Sequence, residues 1–296
     1  MNQEQLQTTL GRALKYIGDT GISDATFANA ICISPSAFSQ YKRQAYQGNV
    51  DAITNAIQDY LETETQRQET PADFDFVETS VAVQIRDAMR YATTLKRMVI
   101  ITSPPGDGKT EALRHYSNSQ TVFLTARSTM MTIPMLQELA ERIKVSQKNN
   151  ADMILRRLIA GFKEKPRTLI IDEAQHLRIR SLDALRAIWD ETRIPIILSG
   201  NFELIQTMKS DQRFQQLLSR LQHIQVQRIQ FKDAIALIKQ RFTAMPAKEM
   251  RMLYEQCPNT RALCNVIMAL DLTCKIHKKE VDADMIRQVM AFRIAA

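Results

Sequence analysis

One loop constrains the fold of this chain more than any other feature of its sequence. Residues 98–102, MVIIT, are a short apolar run typical of a buried strand, and residues 103–110, SPPGDGKT, follow directly. The last letters match the end of the phosphate-binding pattern G-x-x-x-x-G-K-[ST], and a helical pattern starts near Lys109. A strand, this loop and a helix in that order predict an α/β domain that binds the phosphates of a nucleotide.

The loop departs from the pattern at its first position, where serine stands in place of glycine. Serine is small and polar, and the two prolines that follow need no N–H group if their positions do not touch phosphate. We therefore interpret the loop as intact, with a decayed loop as the alternative. Its residues are Ser103, Pro104, Pro105, Gly106, Asp107, Gly108, Lys109 and Thr110. Lys109 would reach the β- and γ-phosphates of ATP, and the Thr110 hydroxyl would bind Mg²⁺.

Two carboxylates follow a second apolar run in the stretch LIIDEAQH, residues 169–176. Asp172, at the strand tip, can hold Mg²⁺ through water, and Glu173 can orient the attacking water or take its proton. The alternative, that both acids only cap the next helix, fits poorly with a position at the carboxyl end of a parallel strand, where ligands bind.

The larger part of the chain alternates between strand and helix patterns, which predicts a parallel sheet with crossover helices. The predicted strands cover residues 98–102, 121–125, 168–171, 194–199 and 224–229, and the predicted helices include 135–143 and 182–189. From residue 231 onward no strand pattern is left, so we expect a helical lid. Asn201 follows the fourth strand and could hold the water near the γ-phosphate.

The first 61 residues show the pattern of short helices. The pair Ser23-Asp24 offers an N-cap for a helix over ATFANAIC, and Ser34, with Pro35 after it, is a candidate N-cap for a second helix. This pair predicts a helix-turn-helix, with a plain helical bundle for protein contacts as the alternative. An amphipathic helix over residues 50–61 would close the unit. Residues 62–75, ETETQRQETPADFD, are polar and lack apolar periodicity, which predicts a linker.

In a helix-turn-helix the second helix can enter the major groove of DNA. We expect Phe27, Ala30 and Ile31 of the first helix to pack on Phe38 and Tyr41 of the second. Polar side chains on the outer face then become the candidates for DNA contact, namely Gln40, Lys42, Arg43 and Gln44.

Charge is unevenly distributed along the chain. Residues 1–70 hold 5 lysines and arginines against 8 aspartates and glutamates, a net −3, whereas residues 71–296 hold 34 against 24, a net +10. This basic excess predicts a polyanionic partner that contacts the larger unit. Arg127, after the second strand, is a candidate DNA contact, as are Lys144 and Lys148, although a solvated surface is the alternative for each.

The four cysteines, Cys32, Cys257, Cys264 and Cys274, form no C-x-x-C pair, and the four histidines are scattered. We therefore expect reduced thiols, no zinc site and a cytoplasmic location. No apolar run approaches the ~20 residues of a membrane helix, and the polar start MNQEQLQTTL does not have the pattern of a signal peptide. A membrane partner is not expected.

Taken together, PPGDGKT, DEAQH and the polar residue after the fourth strand resemble the AAA+ ATPases. The resemblance makes Asn201 the first sensor and Arg261, in CPNTRALCN, the second, which touches the phosphates from the lid. It also makes Arg220, before the last strand, a finger that reaches the neighbouring subunit's site, with Arg213 as the rival. The fold class is then an AAA+ P-loop parallel sheet with a helical lid, preceded by a small all-α domain. The domains are residues 1–61, the linker 62–75, the core 76–230 and the lid 231–296.

The order of these parts is similar to that in the family of B transposition proteins of phage Mu and its relatives in prophages and transposons. The stretches AYQGN, FVET and LLSRL also stand where that family has them. The resemblance implies an ATPase, with ATP and Mg²⁺ as cofactors, that binds double-stranded DNA with little sequence preference. It implies helical filaments on DNA and delivery of the target to a transposase, which stimulates hydrolysis. Two alternatives remain: a helicase loader with the same core, and a transcription regulator that uses ATP as a switch.

Overall fold

The computed structural model describes residues 3–69, 74–148, 150–211, 214, 218 and 221–294. Its residue contacts divide the chain into two compact units, Met1–Asp73 and Phe74–Ala296. None of the helices in the described ranges has both the length and the apolar character of a membrane span.

The first unit is helical. Its helices are α1 (Gln3–Thr20), α2 (Asp24–Ala30), α3 (Pro35–Lys42) and α4 (Val50–Glu69). The predicted caps are confirmed, because the Ser23 hydroxyl accepts from the Thr26 N–H and the Ser34 hydroxyl from the Ala37 N–H, both at 3.1 Å. Phe27 and Phe38 meet in the core with ring centroids 5.2 Å apart. Two helices joined by a short turn are therefore present, and DNA reading by the second stays a prediction.

Two details of this unit were predicted wrongly. Ala30 is exposed, and the buried alanine of α2 is Ala28, because the short helix turns Phe27, Ala28 and Ile31 toward the core. Helix α4 does not end at residue 61 but runs to Glu69, through the first half of the predicted linker. Glu, Gln and Arg are good helix formers, and no glycine or proline interrupts the stretch before Pro71.

The second unit is built on a five-stranded parallel sheet in the order β2-β3-β4-β1-β5. Its strands are β1 (Met98–Thr102), β2 (Thr121–Thr125), β3 (Thr168–Asp172), β4 (Ile196–Gly200) and β5 (Gln222–Gln225). The bounds predicted for the first two are confirmed. The fifth was predicted at 224–229 and lies earlier, because it pairs with β1 from Val99↔Gln222 to Thr102↔Gln225 and the ladder ends where β1 ends.

Helices cover both faces of this sheet. They are α5 (Ser80–Leu95), α6 (Lys109–His115), α7 (Thr132–Arg142), α8 (Ala151–Glu164), α9 (Ile179–Thr192) and α10 (Phe202–Lys209). One core contains Val99 and Ile101 with α5 and α6, and the other contains Met98 and Ile100 with α7, α8 and α9. Successive side chains of β1 point to opposite faces, which is why one apolar strand serves both cores.

Four helices follow the sheet as the expected helical segment: α11 (Phe231–Lys239), α12 (Ala247–Gln256), α13 (Thr260–His277) and α14 (Ala283–Ile294). We call α11–α14 the lid. Apolar residues of all four, such as Leu237, Leu253, Leu263 and Ile286, belong to the core on the α5 side of the sheet. The lid is therefore packed onto the same unit as the phosphate-binding loop.

The residues just before α5, Phe74–Glu78, form a strap along the second unit. The Asp75 N–H donates to Oε1 of Gln240 (3.0 Å), and Nε2 of Gln240 donates to the Asp75 carbonyl (2.9 Å). The Phe76 ring stacks on His115 with centroids 3.6 Å apart, and the Arg241 guanidinium lies 5.5 Å from the Phe74 ring centroid. Phe74 and Asp75, placed in the linker by sequence, thus belong to the second unit.

Candidate nucleotide-binding site

The phosphate-binding loop joins the end of β1 to the start of α6. Gly106 and Gly108 have φ values of +87° and +86°, a backbone conformation that favours glycine. Lys109, only 8% exposed, turns its ammonium back into the loop. Nζ donates to the Ser103 carbonyl (3.0 Å), the Ser103 hydroxyl (2.8 Å) and the Pro104 carbonyl (3.1 Å). Ser103 is thus more than a substitute for glycine, since its buried hydroxyl binds the lysine of the loop.

Charges around Lys109 make this loop suited to an anion. Burial lowers the pKa of Lys109 from its ordinary value, and the Arg261 cation lowers it further. The carboxylates that oppose this shift belong to Glu173, Asp107 and Asp172. A phosphate placed between the two cations would favour the charged amine, because an opposite charge offsets the cost of burial.

Thr110 and Asp172 meet across the loop. The Thr110 hydroxyl donates to Oδ2 of Asp172 at 2.7 Å, and Asp172 is 1% exposed. The other carboxylate oxygen, Oδ1, is buried and has no hydrogen-bond partner in the described part of the chain. A buried carboxylate with a free oxygen beside a hydroxyl fits Mg²⁺, which binds oxygen ligands and keeps several of its waters.

Glu173 sits at the sharp turn after β3. Its φ and ψ are +53° and +36°, a left-handed conformation that costs a non-glycine residue free energy. Oε2 of Glu173 accepts from Nε2 of Gln175 at 2.5 Å. The Gln175 Oε1 in turn accepts from the Asn201 N–H at 3.2 Å. Sequence reasoning missed Gln175, which joins the acidic turn to the end of β4.

Asn201 lies at the end of β4, as expected, and begins α10. Its Oδ1 accepts from the Glu203 N–H at 2.9 Å, so the side chain is the N-cap of that helix. Because the oxygen is used by the cap, the amide nitrogen is the part of the side chain that can bind a phosphate oxygen or a water.

The start of lid helix α13 is docked on the phosphate-binding loop. The Arg261 N–H donates to the Gly106 carbonyl (2.9 Å), and Nδ2 of Asn259 donates to the Pro105 carbonyl (3.2 Å). A Cβ added to Gly106 would lie 2.8 Å from Cγ of Asn259. The Arg261 side chain is exposed, and its positive charge lies close enough to lower the pKa of Lys109. The sequence analysis proposed Arg261, whose contact with the phosphates stays a prediction, but not Asn259.

Asp107 takes part in the same contact. It is 3% exposed, and burial raises its pKa against the influence of Lys109, Arg228 and the Thr260 N–H. Arg228 donates to the carbonyls of Tyr254 and Cys257 at the end of α12. The loop aspartate therefore faces the lid. The phosphate-binding pattern allows any residue at this position of the loop, so the sequence did not indicate the contact.

The remaining predicted residues lie away from these contacts or cannot be placed. Arg213 and Arg220 are outside the described residues, so the finger stays a prediction. In the first unit Gln40 is exposed, Lys42 pairs with Asp24 (Nζ to Oδ2, 2.6 Å) and Arg43 donates to the Ser39 hydroxyl. In the second unit Nη2 of Arg127 pairs with Glu138 at 2.9 Å, and Lys144 and Lys148 are exposed.

Comparison with known sequences gives one family match and several relatives. Residues 92–208 match the AAA domain family. The chain is 28% identical over 274 residues to the "ATP-dependent target DNA activator B" of Escherichia phage Mu, covering 88% of this chain and 86% of that protein. It is 30% identical over 199 residues to the protein of the same name from Escherichia phage D108 (64% and 63% covered). It is 29% identical over 212 residues to the "Mu-like prophage FluMu DNA transposition protein B" of Haemophilus influenzae (68% and 72%).

Solved structures with the same fold include two proteins of Aeropyrum pernix. The Aeropyrum pernix ORC1 protein, solved in complex with DNA, has a TM-score of 0.54 and 14% identity over 76% of this chain and 68% of its own. The ORC2 protein of the same organism, solved as ADPNP–ADP complexes, also has a TM-score of 0.54 and 14% identity, with 76% and 71% covered. At this identity the likeness establishes the fold alone.

Proposed function

We propose the following function for this chain, which belongs to the family of the phage Mu B transposition proteins: it is an ATPase that binds target DNA when ATP is bound and delivers it to a transposase in the host cytoplasm. The ATPase part rests on one observation. The Thr110 hydroxyl oxygen lies 2.7 Å from Oδ2 of Asp172, and both are beside the buried Lys109. This is the arrangement that Mg²⁺ and the phosphates of ATP require.

Binding of ATP would use the loop and the lid together. Lys109 exchanges its three loop acceptors for oxygens of the β- and γ-phosphates, and the N–H groups at the start of α6 bind the remaining phosphate oxygens. The Thr110 hydroxyl and the Asp172 carboxylate would hold Mg²⁺, the carboxylate through water. When bound, Mg²⁺ neutralises charge on the β- and γ-phosphates. Arg261 approaches the phosphates from α13.

Hydrolysis would use the groups around the γ-phosphate. Glu173 orients the attacking water and accepts its proton, and the amide nitrogen of Asn201 holds the γ-phosphate or that water. Arg220 of a neighbouring subunit would stabilise the charge of the transition state, as an arginine finger does. This role requires assembly, so the proposal includes a homo-oligomeric filament on DNA.

DNA binding would follow the phosphate backbone. The second unit and the few residues before it carry the basic excess, +10 over residues 71–296, whereas residues 1–70 carry −3. Phosphate contacts carry no direct sequence information, so affinity should be nearly independent of sequence and should fall steeply with salt. Arg127 is a candidate contact, and Gln40, Lys42 and Arg43 would add contacts from the first unit.

Fluorescence anisotropy on two unrelated duplexes, with ATP or ADP at several salt concentrations, tests this function. We expect ATP-dependent, cooperative binding of both duplexes, with a log–log salt slope of about −0.9 for each phosphate neutralised. Lys109→Ala should lose the dependence on ATP, because the cation that faces the phosphates is gone. Lys165→Ala, which removes a lysine whose side chain is 74% exposed, is the matched control.

A truncated protein of residues 74–296 should retain ATP-dependent DNA binding, because these residues carry the basic excess. The truncation starts at Phe74 so that the strap is kept. Strong preference for one duplex that disappears with the first unit would instead support a sequence-specific regulator. Capture of a replicative helicase rather than a transposase would support a helicase loader.

A further inference from the structure

Gln175 is the side chain that connects the two polar strand ends of the candidate site. Its amide is used at both ends, because Nε2 donates to the Glu173 carboxylate (2.5 Å) and Oε1 accepts from the Asn201 N–H (3.2 Å). A glutamine that only covered the surface would not need this double contact. The amide therefore links the residue after β3 to the residue after β4.

The turn that carries Glu173 explains why such a link matters. A left-handed backbone is unfavourable for glutamate, so contacts in the folded chain must hold it. The His176 N–H donates to the Glu173 carbonyl at 3.0 Å, which closes the turn, and Ala174 is fully buried. These contacts fix the backbone of the turn, whereas Gln175 binds the carboxylate itself.

Gly200, the last residue of β4, leaves the space that this amide occupies. A Cβ at this position would lie 2.6 Å from Oε1 of Gln175 and 3.3 Å from its backbone nitrogen. Contacts below 3.0 Å require one partner to move, so a larger residue here would displace the Gln175 amide. The glycine before the predicted sensor and the glutamine after the acidic pair thus form one structural unit.

We propose that Gln175 is a positioning residue for ATP hydrolysis, which fixes the Glu173 carboxylate and couples its place to the end of β4. This inference rests on the ATPase function proposed above. With Oε2 bound by the amide, Glu173 presents its second oxygen toward the water. Movement of Asn201 on binding the γ-phosphate would reach Glu173 through the same amide.

Two substitutions separate the halves of this link. Gln175→Ala removes both contacts. Gln175→Glu keeps an oxygen for the Asn201 N–H but replaces the donor to Glu173 by a like charge, which should repel the carboxylate. We expect both to lower kcat about tenfold or more, the loss of one hydrogen bond to a charged group, while ATP affinity changes less than about twofold. Gln206→Ala, which removes an exposed glutamine from α10, is the matched control.

Gly200→Ala tests the same link from the other strand. It should lower kcat as Gln175→Ala does, and the double substitution should cost little more than either alone, because the displaced amide is then absent. In a Glu173→Gln background, single-turnover hydrolysis should be insensitive to Gln175→Ala, since the group that it positions no longer acts. Thermal unfolding of each variant measures whether the fold is kept.

The outcomes distinguish this inference from the proposed function. Gln175→Ala or Gln175→Glu with unchanged kcat, or a parallel loss of ATP affinity, would refute positioning by Gln175 while leaving the ATPase in place. A further drop on adding Gln175→Ala to Glu173→Gln would assign Gln175 a role independent of Glu173 and refute it equally. A native protein that does not hydrolyse ATP, with or without duplex DNA, would overturn the proposed function and the inference with it.

Discussion

The docking of the lid on the phosphate-binding loop predicts unequal effects of two similar substitutions. Gly106 and Gly108 have nearly the same φ, +87° and +86°. Alanine at either position therefore has the same backbone cost, about 1 kcal/mol. The surroundings differ, because a Cβ at Gly108 meets nothing within 4 Å, whereas one at Gly106 lies 2.8–2.9 Å from three atoms of Asn259.

The extra cost at Gly106 follows from what Asn259 must give up. Its Nδ2 donates to the Pro105 carbonyl (3.2 Å), and its Oδ1 accepts from the Ala262 N–H (2.8 Å) as the N-cap of α13. Each contact is worth about 1 kcal/mol. Gly106→Ala should therefore reduce the free energy of unfolding by about 3 kcal/mol, and Gly108→Ala by about 1 kcal/mol.

Denaturant unfolding of the nucleotide-free protein measures this difference. Trp189, the single tryptophan, is 3% exposed and lies in the second unit, so its fluorescence reports the unit concerned. Asn259→Ala removes the three obstructing atoms, so in that background Gly106→Ala should cost only the backbone term of about 1 kcal/mol. Equal losses for the two glycine variants, or additive losses in the double variant, would show that α13 does not rest on the loop.

Three further predictions concern the chemistry. Ser103→Gly should destabilise the nucleotide-free protein by about 1–2 kcal/mol in denaturant unfolding, because Lys109 loses an acceptor, while ATP affinity by calorimetry should stay within about tenfold. Glu173→Gln should bind ATP and DNA but hydrolyse ATP at least ~10²-fold more slowly in a phosphate-release assay, because the group that accepts the proton of the water is gone. A variant that hydrolyses ATP at the native rate would refute this role of Glu173. Arg220→Ala should bind ATP without hydrolysing it, and mixing it with Lys109→Ala protein should restore part of the activity; no rescue at any ratio would argue against a finger in trans.

The sheet could be predicted from sequence because its strands are buried. The first two strands lie where the apolar runs place them, since a strand covered on both faces is apolar throughout. The fifth was misplaced because residues 222–225, QHIQ, lie at a sheet edge and three of the four are exposed, so pairing with β1 rather than hydrophobicity decides its bounds. Helix α8, which the sequence reading did not include, has a buried face of Ile154, Leu158 and Phe162.

Some residues of the candidate site could likewise be predicted from the sequence, and others could not. Lys109, Thr110 and Asp172 could be proposed from the sequence because the patterns for phosphate and Mg²⁺ binding specify both residue type and spacing, and the structure brings Thr110 and Asp172 into contact. Gln175 and Asn259 were not, because a side-chain amide that bridges two strands or reaches a loop carbonyl leaves no spacing rule in the sequence. Such contacts depend on which strand ends and helix ends the fold brings together, and only coordinates contain that information.

The strap before α5 also sets an order of events during synthesis. Phe76 finds His115 and Tyr116 fewer than fifty residues later, but the partner of Asp75, Gln240, lies 165 positions further along the chain. At ~5–20 residues per second, a ribosome needs roughly ten to thirty seconds to add that stretch. All five strands, the last of which ends at Gln225, are therefore synthesised before the partner of Asp75 exists, and this end of the strap can bind only after the first lid helix has been made.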